Sequence, residues 1–502
     1  MKTGASSAAA ASAMSSRRLH SLEGICAGVD LPAYKREQHA VGIVHIGVGA
    51  FHRAHQAVYT DDALAHAGGD WRIVGISLRG TSVVDALAPQ KGLYTLLIRG
   101  EGGTQARVVG SLAGVIAAVR NGQAARDALL DPNVRIVSLT VTEKAYGIDR
   151  RSRSVDQTHP AIAHDLTHPD APTGVIGMIV HALRRRRSSG IAPFTVLCCD
   201  NLPENGRLLR AGVIDFASRL DRPLAKWIAQ DIAFPSTMVD RITPASSEAT
   251  LLEAKARTGF EDFAAVETEA FNQWVIEDCF PAGRPAWDQA GVLMVKDVAP
   301  YERMKLRMLN GAHSLLAYVG NILDYRYVRD AMQDGLMVAL LRAYMAQAAK
   351  TLGRLEGVDF KQYEDALIAR FSNPAIAHEI RQIAMDGTEK LPQRILAPAG
   401  EALANGQDIR LFAFAVAAWM RHCLGASETG RPYELDDPRA AEIRVRIKGK
   451  EADASALARA LLDMPGLFSP DLLQSLAWKQ QVIDQLAVML SQGMRRAMSN
   501  LI

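Results

Sequence analysis

The sequence predicts an α/β fold in two parts, a doubly wound parallel-sheet domain followed by an all-helical C-terminal domain. Short β-branched runs alternate with helical patterns from residue 41 to about residue 298, an alternation typical of a parallel sheet covered by helices. After Pro300 the apolar residues recur with a period near 3.6, which indicates helices. We therefore expect a disordered tail over residues 1–30, a sheet domain over 31–298 and a helical domain over 299–502.

The elements follow from these patterns in chain order. The predicted strands of the first domain are residues 42–46, 71–77, 135–141 and 194–199. The clearest helical periodicities of the second domain are residues 335–352, 410–424 and 472–494. The boundary falls near residues 297–300, just before a polar helix. This predicts functional residues at a seam between domains, where ligand clefts usually form.

The composition is that of an ordinary soluble protein. A chain of 502 residues that is 48% hydrophobic and 22% charged can bury a sizeable core. The net charge of +3 comes from interspersed charges, and the compact basic run at residues 184–187 ends a predicted helix, where cations suit the helix dipole. We therefore expect no nucleic-acid partner. Five cysteines without metal-ligand spacing predict no metal site and a reducing cytoplasm.

The chain shows no signal for a membrane or for export. No apolar stretch is long enough to cross a bilayer, and the Ala/Ser-rich residues 1–16 lack the core of a signal peptide. Arg17-Arg18 is similar to a twin-arginine signal, but residues 20–30 are too polar for its hydrophobic segment. We expect a cytoplasmic protein without a membrane partner.

Residues 41–53 read as an apolar strand, a glycine turn and the start of a helix. Two glycines permit a tight turn and a close approach of backbone N–H groups to a pyrophosphate, and the helix start adds a favourable dipole. The third glycine of the usual fingerprint is His52, so a simple strand-helix turn fits the pattern equally well. The position of the glycine turn after the first strand, with the cation Arg53 following it, favours a dinucleotide site. The predicted cofactor contacts are Gly47, Gly49, Ala50, Phe51 and Arg53.

The residues after the second strand do not decide between NAD and NADP. An acidic residue there normally holds the ribose of NAD, but residues 78–84 contain no carboxylate. Arg79, with Thr81 and Ser82, suits a 2′-phosphate, although an arginine also stacks on adenine without one. We expect NAD as the cofactor, with NADP as the alternative.

A lysine, an asparagine and a histidine share one predicted helix. Lys305, Asn310 and His313 fall within an arc of roughly 140° when each residue turns the helix by about 100°. A buried lysine is neutral enough to accept a proton, and an amide and an imidazole hold hydroxyl groups. This is the chemistry of a metal-free alcohol dehydrogenase. The alternative is a surface lysine beside a polar stripe.

Other polar residues follow the ends of predicted elements. Asn201 follows the strand at 194–199, at the carboxyl end where parallel sheets keep functional side chains. Alternatively, Asp200 or Asn201 caps the next helix. The remaining candidates, each equally suited to an interdomain salt bridge, are Glu143 as a cofactor contact and, as substrate contacts, Asp240, Arg370, Lys390 and Arg394.

With these stretches the chain resembles the polyol-specific long-chain dehydrogenases, the family of mannitol 2-dehydrogenase and fructuronate reductase. The likeness runs from about residue 31 to beyond residue 394, with signatures at 47–56, 138–146, 199–206 and 234–244, and the lysine helix is the most specific part. The resemblance implies a Rossmann-type N-terminal domain, a helical C-terminal domain, no metal, and hydride transfer between a nicotinamide and a secondary alcohol. It implies Lys305 as general base, Asn201 and Asn310 as oxyanion donors, His313 as a substrate-hydroxyl ligand and Glu302 in a proton relay.

The resemblance leaves the substrate open. Residues 142–144, 305–310 and 382–394 look more like the hexuronate reductases, whereas Leu78-Arg79 leans toward the mannitol enzymes. The family's Cys-Glu-Pro-Phe is Thr-Glu-Ala-Phe at 268–271, and Thr81 and Ser82 stand where mannitol dehydrogenases tend to be acidic. A carboxylated substrate needs a cation, for which Arg370, Lys390 and Arg394 are available. The best match is D-mannonate and D-fructuronate, and the alternative is D-mannitol or D-arabinitol.

The expected partner is therefore a small molecule, a sugar alcohol or a sugar acid, and the expected assembly is a monomer or weak oligomer. A sensor that binds a dinucleotide and a sugar acid without turnover is the alternative from another class. A phosphoryl-transfer enzyme is disfavoured because the sequence contains no Walker A motif.

Overall fold

The computed structural model describes residues 17–100 and 102–502, which divide into two compact units, the first ending at Val298 and the second starting at Ala299. Residues 1–16 of the predicted tail lie outside the described residues. The tail prediction is wrong for residues 17–30. Leu19 is fully buried, and Val29–Asp30 form a strand that pairs with a later one, because hydrophobic side chains in this stretch find partners in the first unit.

The strands all lie in the first unit, as far as the described residues go. They are β1 (Val29–Asp30), β2 (Val41–Ile46), β3 (Arg72–Ser77), β4 (Tyr94–Gly100), β5 (Gly103–Val109), β6 (Leu112–Ala117), β7 (Ile136–Leu139), β8 (Thr195–Cys198), β9 (Thr237–Asp240), β10 (Val266–Glu269), β11 (Gln273–Glu277) and β12 (Leu293–Val295).

The helices of the first unit connect and cover these strands. They are α1 (Ala50–Ala54), α2 (Gln56–Ala67), α3 (Ser82–Leu87), α4 (Gly122–Ala128), α5 (Pro160–Thr167), α6 (Val175–Ser188), α7 (Asn205–Leu220), α8 (Arg222–Asp231) and α9 (Glu248–Thr258), with 3₁₀ turns at Arg36–Gln38 and Glu143–Ala145.

A five-stranded sheet in the order β6-β3-β2-β7-β8 forms the centre of the first unit, and every neighbouring pair in it is parallel. The chain builds one half outward from β2 and then returns to build the other half from β7. This confirms the predicted doubly wound parallel sheet, and it places the switch in strand order between β2 and β7.

The sheet is apolar on both faces, as a parallel sheet covered on both sides must be. Val44 and Ile46 of β2 pack into one core with α6 and α7, whereas Ile43 packs into a second core with α2. All three side chains are fully buried. Successive side chains of this strand point to opposite faces of the sheet, and each face is covered by helices.

Two smaller sheets were not among the predicted elements. One has the order β1-β5-β4-β10 and the other the order β12-β11-β9. In the first, Val266 of β10 faces Leu96 of β4 across a parallel pair, although the two strands lie far apart in sequence.

The second unit is helical, which confirms that prediction; its described residues form isolated bridges but no strand. Its helices are α10 (Ala299–Met304), α11 (Gly311–Ile322), α12 (Val328–Ala331), α13 (Gly335–Ala349), α14 (Phe360–Ser372), α15 (Ile380–Ala384), α16 (Gly387–Leu391), α17 (Ala397–Ala404), α18 (Arg410–His422), α19 (Ala440–Ile447), α20 (Ala454–Leu462), α21 (Pro470–Gln474), α22 (Leu476–Gln492) and α23 (Met494–Leu501).

Two short π-helical segments interrupt this pattern. Lys305–Asn310 connects α10 to α11, and Pro392–Leu396 connects α16 to α17. The single helix predicted around Lys305 is therefore continuous in path but widened over six residues. Within residues 17–100 and 102–502, no helix is long and apolar enough to cross a membrane.

Candidate active site

The turn after β2 depends on two glycines for different reasons. Gly47 has φ of +99°, and a Cβ there would overlap the carbonyl oxygen of Thr140, so only glycine fits. At Gly49 a Cβ would meet nothing closer than 3.8 Å. Gly49 is exposed and therefore open to close approach by a ligand, and Ala50 and Phe51, half-buried, follow it in the first turn of α1. This geometry fits a dinucleotide pyrophosphate.

Two buried histidines, His45 and His52, pack beside this turn. His45 contacts Ser138 Oγ through Nδ1 and Thr140 Oγ1 through Nε2, both at 2.8 Å. The His52 ring stacks on His45 with 3.5 Å between centroids. Burial lowers the pKa of His45 to about 3 and lowers that of His52 far below its usual value. The residue at the third fingerprint position is thus a neutral, packed ring.

Arg53 is buried beside the glycine turn. Its side chain is 8% exposed, and its guanidinium donates hydrogen bonds to the carbonyl oxygens of Ala264 and Gly49. Its guanidinium therefore braces the glycine turn, and Arg53 remains a predicted cofactor contact. Local spacing did not indicate the bracing role, because Ala264 is remote in sequence.

The two other nucleotide-side candidates are at the surface of the first unit. Arg79 is exposed two residues beyond the end of β3. Glu143 is exposed in the 3₁₀ turn after β7 and forms an ion pair with Arg150. Arg79 is thus available to a ligand at the carboxyl edge of the sheet, whereas Glu143 already has a cationic partner.

The segment after β8 is built around Asp200 and Asn205, whose structural roles sequence reasoning missed. Asn205 donates from Nδ2 to the carbonyl oxygens of Asp200 and Thr237, both at 3.0 Å, and accepts from Thr237 N at 2.9 Å. Helix α7 receives no side-chain cap from its N-cap residue Glu204. Asn201 is exposed on the turn held in this way.

Asp240 ends β9, where it pairs with Gln273 of β11 and is 7% exposed. The neighbouring Arg241 is equally buried and donates to the carbonyl oxygens of Ala54 at 2.5 Å and Glu269 at 3.1 Å. Arg241 therefore links the end of α1 to β10, while burial lowers its pKa to about 10. Asp240 sits on a firmly braced strand end.

In the second unit, Lys305 is 7% exposed and begins the π-helical segment that ends at Asn310. A π-helix bonds residue i to residue i+5, so residues five apart lie on adjacent turns, as residues four apart do in an α-helix. The widened turn brings Lys305 and Asn310 closer to one face than the predicted helix would. Glu302, half-buried on α10, precedes Lys305 by one turn.

The π segment is held by Arg307 and Gly311. Arg307 is 4% exposed and donates to both carboxylate oxygens of Glu401 at 2.6 and 2.7 Å, and to Thr351 O at 2.9 Å. A Cβ on Gly311 would overlap the Tyr344 hydroxyl and lie 3.0 Å from the Arg394 carbonyl oxygen. Glycine therefore allows the two π segments to approach each other.

His313 lies on α11 among aromatic rings and cations. Its ring stacks on Phe371 at 5.0 Å and meets His378 edge-on at 5.1 Å. Its Nε2 is buried without a hydrogen-bond partner among the described residues. Burial lowers the pKa of His313 far below its usual value, and neighbouring basic side chains lower it further: His378, Arg370, Arg394 and Lys390.

The predicted cations are thus brought together around His313. Arg394 donates to Ser314 Oγ at 3.0 Å and approaches Asn310 O at 3.5 Å, and its pKa is lowered mainly by burial. Lys390 donates to Met385 O at 2.6 Å and lies 3.6 Å from a carboxylate oxygen of Asp386. Burial, followed by Arg394, lowers the pKa of Lys390.

The site residues that sequence reasoning did not find here are His378, Phe371 and Tyr344. Each comes from a helix or loop remote from the lysine segment, and a histidine or aromatic residue alone carries no signal of such a role. In the part of the chain that the structure describes, no group of three or more His, Cys, Asp or Glu side chains is arranged to hold a metal ion.

Comparison with known proteins covers both units. The family profile for the mannitol dehydrogenase Rossmann domain matches residues 41–289, and that for the mannitol dehydrogenase C-terminal domain matches residues 297–490. The chain is 42% identical over 449 residues to the D-mannonate oxidoreductase of Escherichia coli (strain K12). The aligned region covers 88% of this chain and 92% of that protein.

Two solved structures are similar over nearly the whole chain. A D-sorbitol dehydrogenase in substrate-free form superposes with a TM-score of 0.90 at 34% identity, covering 96% of this chain and 100% of the other. The Pseudomonas fluorescens mannitol 2-dehydrogenase in ternary complex with NAD and D-mannitol superposes with a TM-score of 0.78 at 38% identity, covering 97% and 99%.

Proposed function

Because the chain belongs to the mannitol dehydrogenase family, we propose that it is an NAD-dependent oxidoreductase that interconverts a secondary alcohol of an open-chain sugar alcohol or aldonate with the matching ketone. NADP is the alternative cofactor. A relative that carries NAD and D-mannitol supports this assignment, since it shares 38% of its sequence with the chain.

The proposal rests chiefly on buried Lys305 in a π-helical segment with Asn310. Lys305 Nζ takes the proton from the substrate hydroxyl, and in reduction gives it back to the carbonyl oxygen. Asn310 and Asn201 donate hydrogen bonds to the developing alkoxide, a role in which one lost donor typically costs a factor of about 10² to 10³ in rate. Glu302, one turn before Lys305, relays the proton to solvent.

His313 binds a substrate hydroxyl. Its Nε2 is buried and unpaired within the described residues, and a polar atom in that state gains most by meeting a ligand. The neutral ring can accept or donate one hydrogen bond there. Asp240 is proposed as a further hydroxyl ligand because its carboxylate ends a braced strand.

The glycine turn holds the dinucleotide through the backbone of Gly47, Gly49, Ala50 and Phe51. Arg79 is the surface cation nearest the end of β3 and contacts the adenosine side. The dinucleotide held by these residues would supply the hydride acceptor for oxidation of the alcohol. Glu143, exposed in the turn after β7 beside Arg150, is the remaining proposed cofactor contact.

We propose a sugar acid, with D-mannonate and D-fructuronate as the best match, because basic side chains lie around His313. Arg370 adjoins Phe371, whose ring stacks on His313, and Arg394, with Lys390 one turn before it, donates to the hydroxyl of Ser314 beside His313. A carboxylate would relieve this concentration of positive charge. The 42% identity to a D-mannonate oxidoreductase supports the same choice. The second candidate, D-mannitol or another neutral polyol, is favoured by the similarity to the mannitol enzyme.

The deciding experiment measures initial rates of nicotinamide reduction with D-mannonate, D-mannitol, D-arabinitol and D-sorbitol, each with NAD and NADP. We expect turnover with D-mannonate. Turnover confined to neutral polyols would overturn the sugar-acid assignment, and no turnover in the panel despite NADH binding would favour a sensor.

The same assay tests the base. Lys305→Ala should abolish turnover while leaving NADH binding nearly unchanged, because the lysine acts only on the substrate proton. Lys226→Ala, on the exposed side of α8, is the matched control and should keep full activity. If Lys305→Ala retained more than about a tenth of wild-type turnover, well above what loss of a general base permits, another base would be required.

A further inference from the structure

The segment that follows β7 presses against the glycine turn. Thr140 donates from Oγ1 to Gly47 O at 2.7 Å, and its carbonyl oxygen occupies the space that a Cβ on Gly47 would need. The sheet order changes direction between β2 and β7, and ligands of doubly wound folds bind at that crevice. The conformation of residues 140–142 therefore shapes the crevice.

Asp200 holds this segment from its other side. Its carboxylate accepts hydrogen bonds from Val141 N at 3.0 Å, Thr142 N at 3.1 Å and the Tyr146 hydroxyl at 2.6 Å. The three donors come from one loop, and Asp200 itself follows the neighbouring strand β8. A single carboxylate thus ties the ends of two strands together.

Thr142 needs such restraint. Its φ of 73° and ψ of 151° lie in a region that is essentially reserved for glycine, and a residue with a side chain stays there only when its surroundings hold it. The two backbone N–H groups bonded to Asp200 belong to the peptides that precede Val141 and Thr142. They therefore fix the backbone that leads into the strained residue.

We propose that Asp200 is a positioning residue for the dinucleotide. It keeps residues 140–142 in their strained conformation against the glycine turn, so that the crevice is preformed before the pyridine dinucleotide binds. This inference rests on the proposed function. Asp200 itself touches no reacting atom; it acts through the backbone of the loop.

The test compares Asp200→Asn in two backgrounds, the wild-type chain and Thr142→Gly, by calorimetric titration with NADH. The asparagine keeps the size of the side chain but replaces an acceptor with an NH₂ group facing backbone donors. We expect NADH affinity to fall about tenfold in the wild-type background, as loss of charge-assisted hydrogen bonds predicts. In the Thr142→Gly background the loss should be less than about threefold, because glycine adopts this φ freely.

Two further measurements separate positioning from general support. Hydrogen exchange of residues 140–146 without ligand should be faster in Asp200→Asn than in the wild type. Tyr146→Phe removes one of the three hydrogen bonds but leaves the backbone pair intact, so its NADH affinity should stay within about threefold of wild type.

The outcomes are distinct. If the wild type binds NADH and Asp200→Asn binds it equally well, the positioning role is overturned and the proposed function stands. An equal loss of NADH affinity in both backgrounds would have the same meaning. A wild type that does not bind NADH would overturn the proposed function and this inference with it. If Asp200→Asn fails to fold, folding restored by adding Thr142→Gly supports the role, and a double variant that also fails to fold overturns it.

Discussion

Arg79 is the residue at which the choice between NAD and NADP is expected to be made. It is exposed after β3, and residues 78–84 include no carboxylate that would repel a 2′-phosphate. Arg79→Asn should lower kcat/KM for NADP by about tenfold, the worth of one charge-assisted hydrogen bond. Activity with NAD should change less than about threefold, because NAD has no phosphate at that position.

Arg79→Asp is the companion variant, since it differs from Arg79→Asn only by a negative charge. The added charge should lower the NADP to NAD ratio of kcat/KM by a further factor of about ten, through repulsion of the phosphate. Steady-state rates with both dinucleotides measure this ratio. Equal ratios in the two variants and the wild type would remove Arg79 from the cofactor site.

Two arginines show how far sequence reasoning reaches at this scale. Arg53 and Arg79 both follow strand ends, and both were predicted to contact the cofactor. The structure buries Arg53 against the carbonyl oxygen of Ala264 and leaves Arg79 exposed. The residue type is the same in the two cases, and the partner that buries Arg53 comes from a chain segment more than two hundred positions away.

The junction of the π segment with α11 depends on Gly311. Gly311→Ala places a Cβ on top of the Tyr344 hydroxyl and 3.0 Å from Arg394 O. Relief requires movement of the π segment, which we expect to lower the free energy of unfolding by about 1–3 kcal/mol. It should also reduce kcat more than NADH affinity, because Lys305 and Asn310 lie on that segment.

Gly400→Ala is the matched control for this element. Gly400 lies inside α17, and a Cβ there would meet nothing within 4 Å. The substitution should raise the free energy of unfolding by about 0.5–1 kcal/mol through the helix propensity of alanine. Urea unfolding and steady-state kinetics of both variants measure the contrast. A Gly311→Ala enzyme with wild-type kcat would show that the π segment tolerates displacement.

The elements that sequence patterns identified were those defined by local repetition. Four of the five strands of the central sheet, β2, β3, β7 and β8, and the long helices α13, α18 and α22 each carry their own apolar period. The π segment does not, because its sequence also fits an ordinary helix, and its widening depends on contacts with Tyr344 and Arg394. The pairing of β4 with β10 was missed for the same reason.

At the scale of the whole molecule, both units bury histidines in their uncharged form. Burial lowers the pKa of His45 in the first unit to about 3 and that of His422 in the second to about 4. Buried Asp61 and Asp262 have the opposite property, since burial raises the pKa of each. The buried histidines make the fold less stable as pH falls below the usual pKa of histidine. The two buried carboxyl groups act in the opposite direction, since the stability they contribute when protonated is lost as pH rises.

His422 allows this balance to be measured at one position. Its ring is 4% exposed, stacks on Tyr433 at 5.0 Å and places Nδ1 3.3 Å from Asn321 Nδ2. Below pH of about 6.5 the unfolded chain binds a proton at this residue, but the folded chain does so only near pH 4. Stability is therefore lost as pH falls through this window, by about 2 kcal/mol between pH 6.5 and 5.

His422→Phe should keep the stacking on Tyr433 but remove the titration. The variant will be less stable than the wild type at pH 7.5, because Asn321 loses a hydrogen-bond partner. Between pH 7.5 and 5, however, its free energy of unfolding should fall by about 2 kcal/mol less than that of the wild type. Asp61 and Asp262 are present in both proteins, so their contribution cancels in the difference. His66→Gln, an exposed position, is the control and should follow the wild-type curve. Urea unfolding at the two pH values gives the result, and equal losses in His422→Phe and the wild type would mean that folding does not change the pKa of His422.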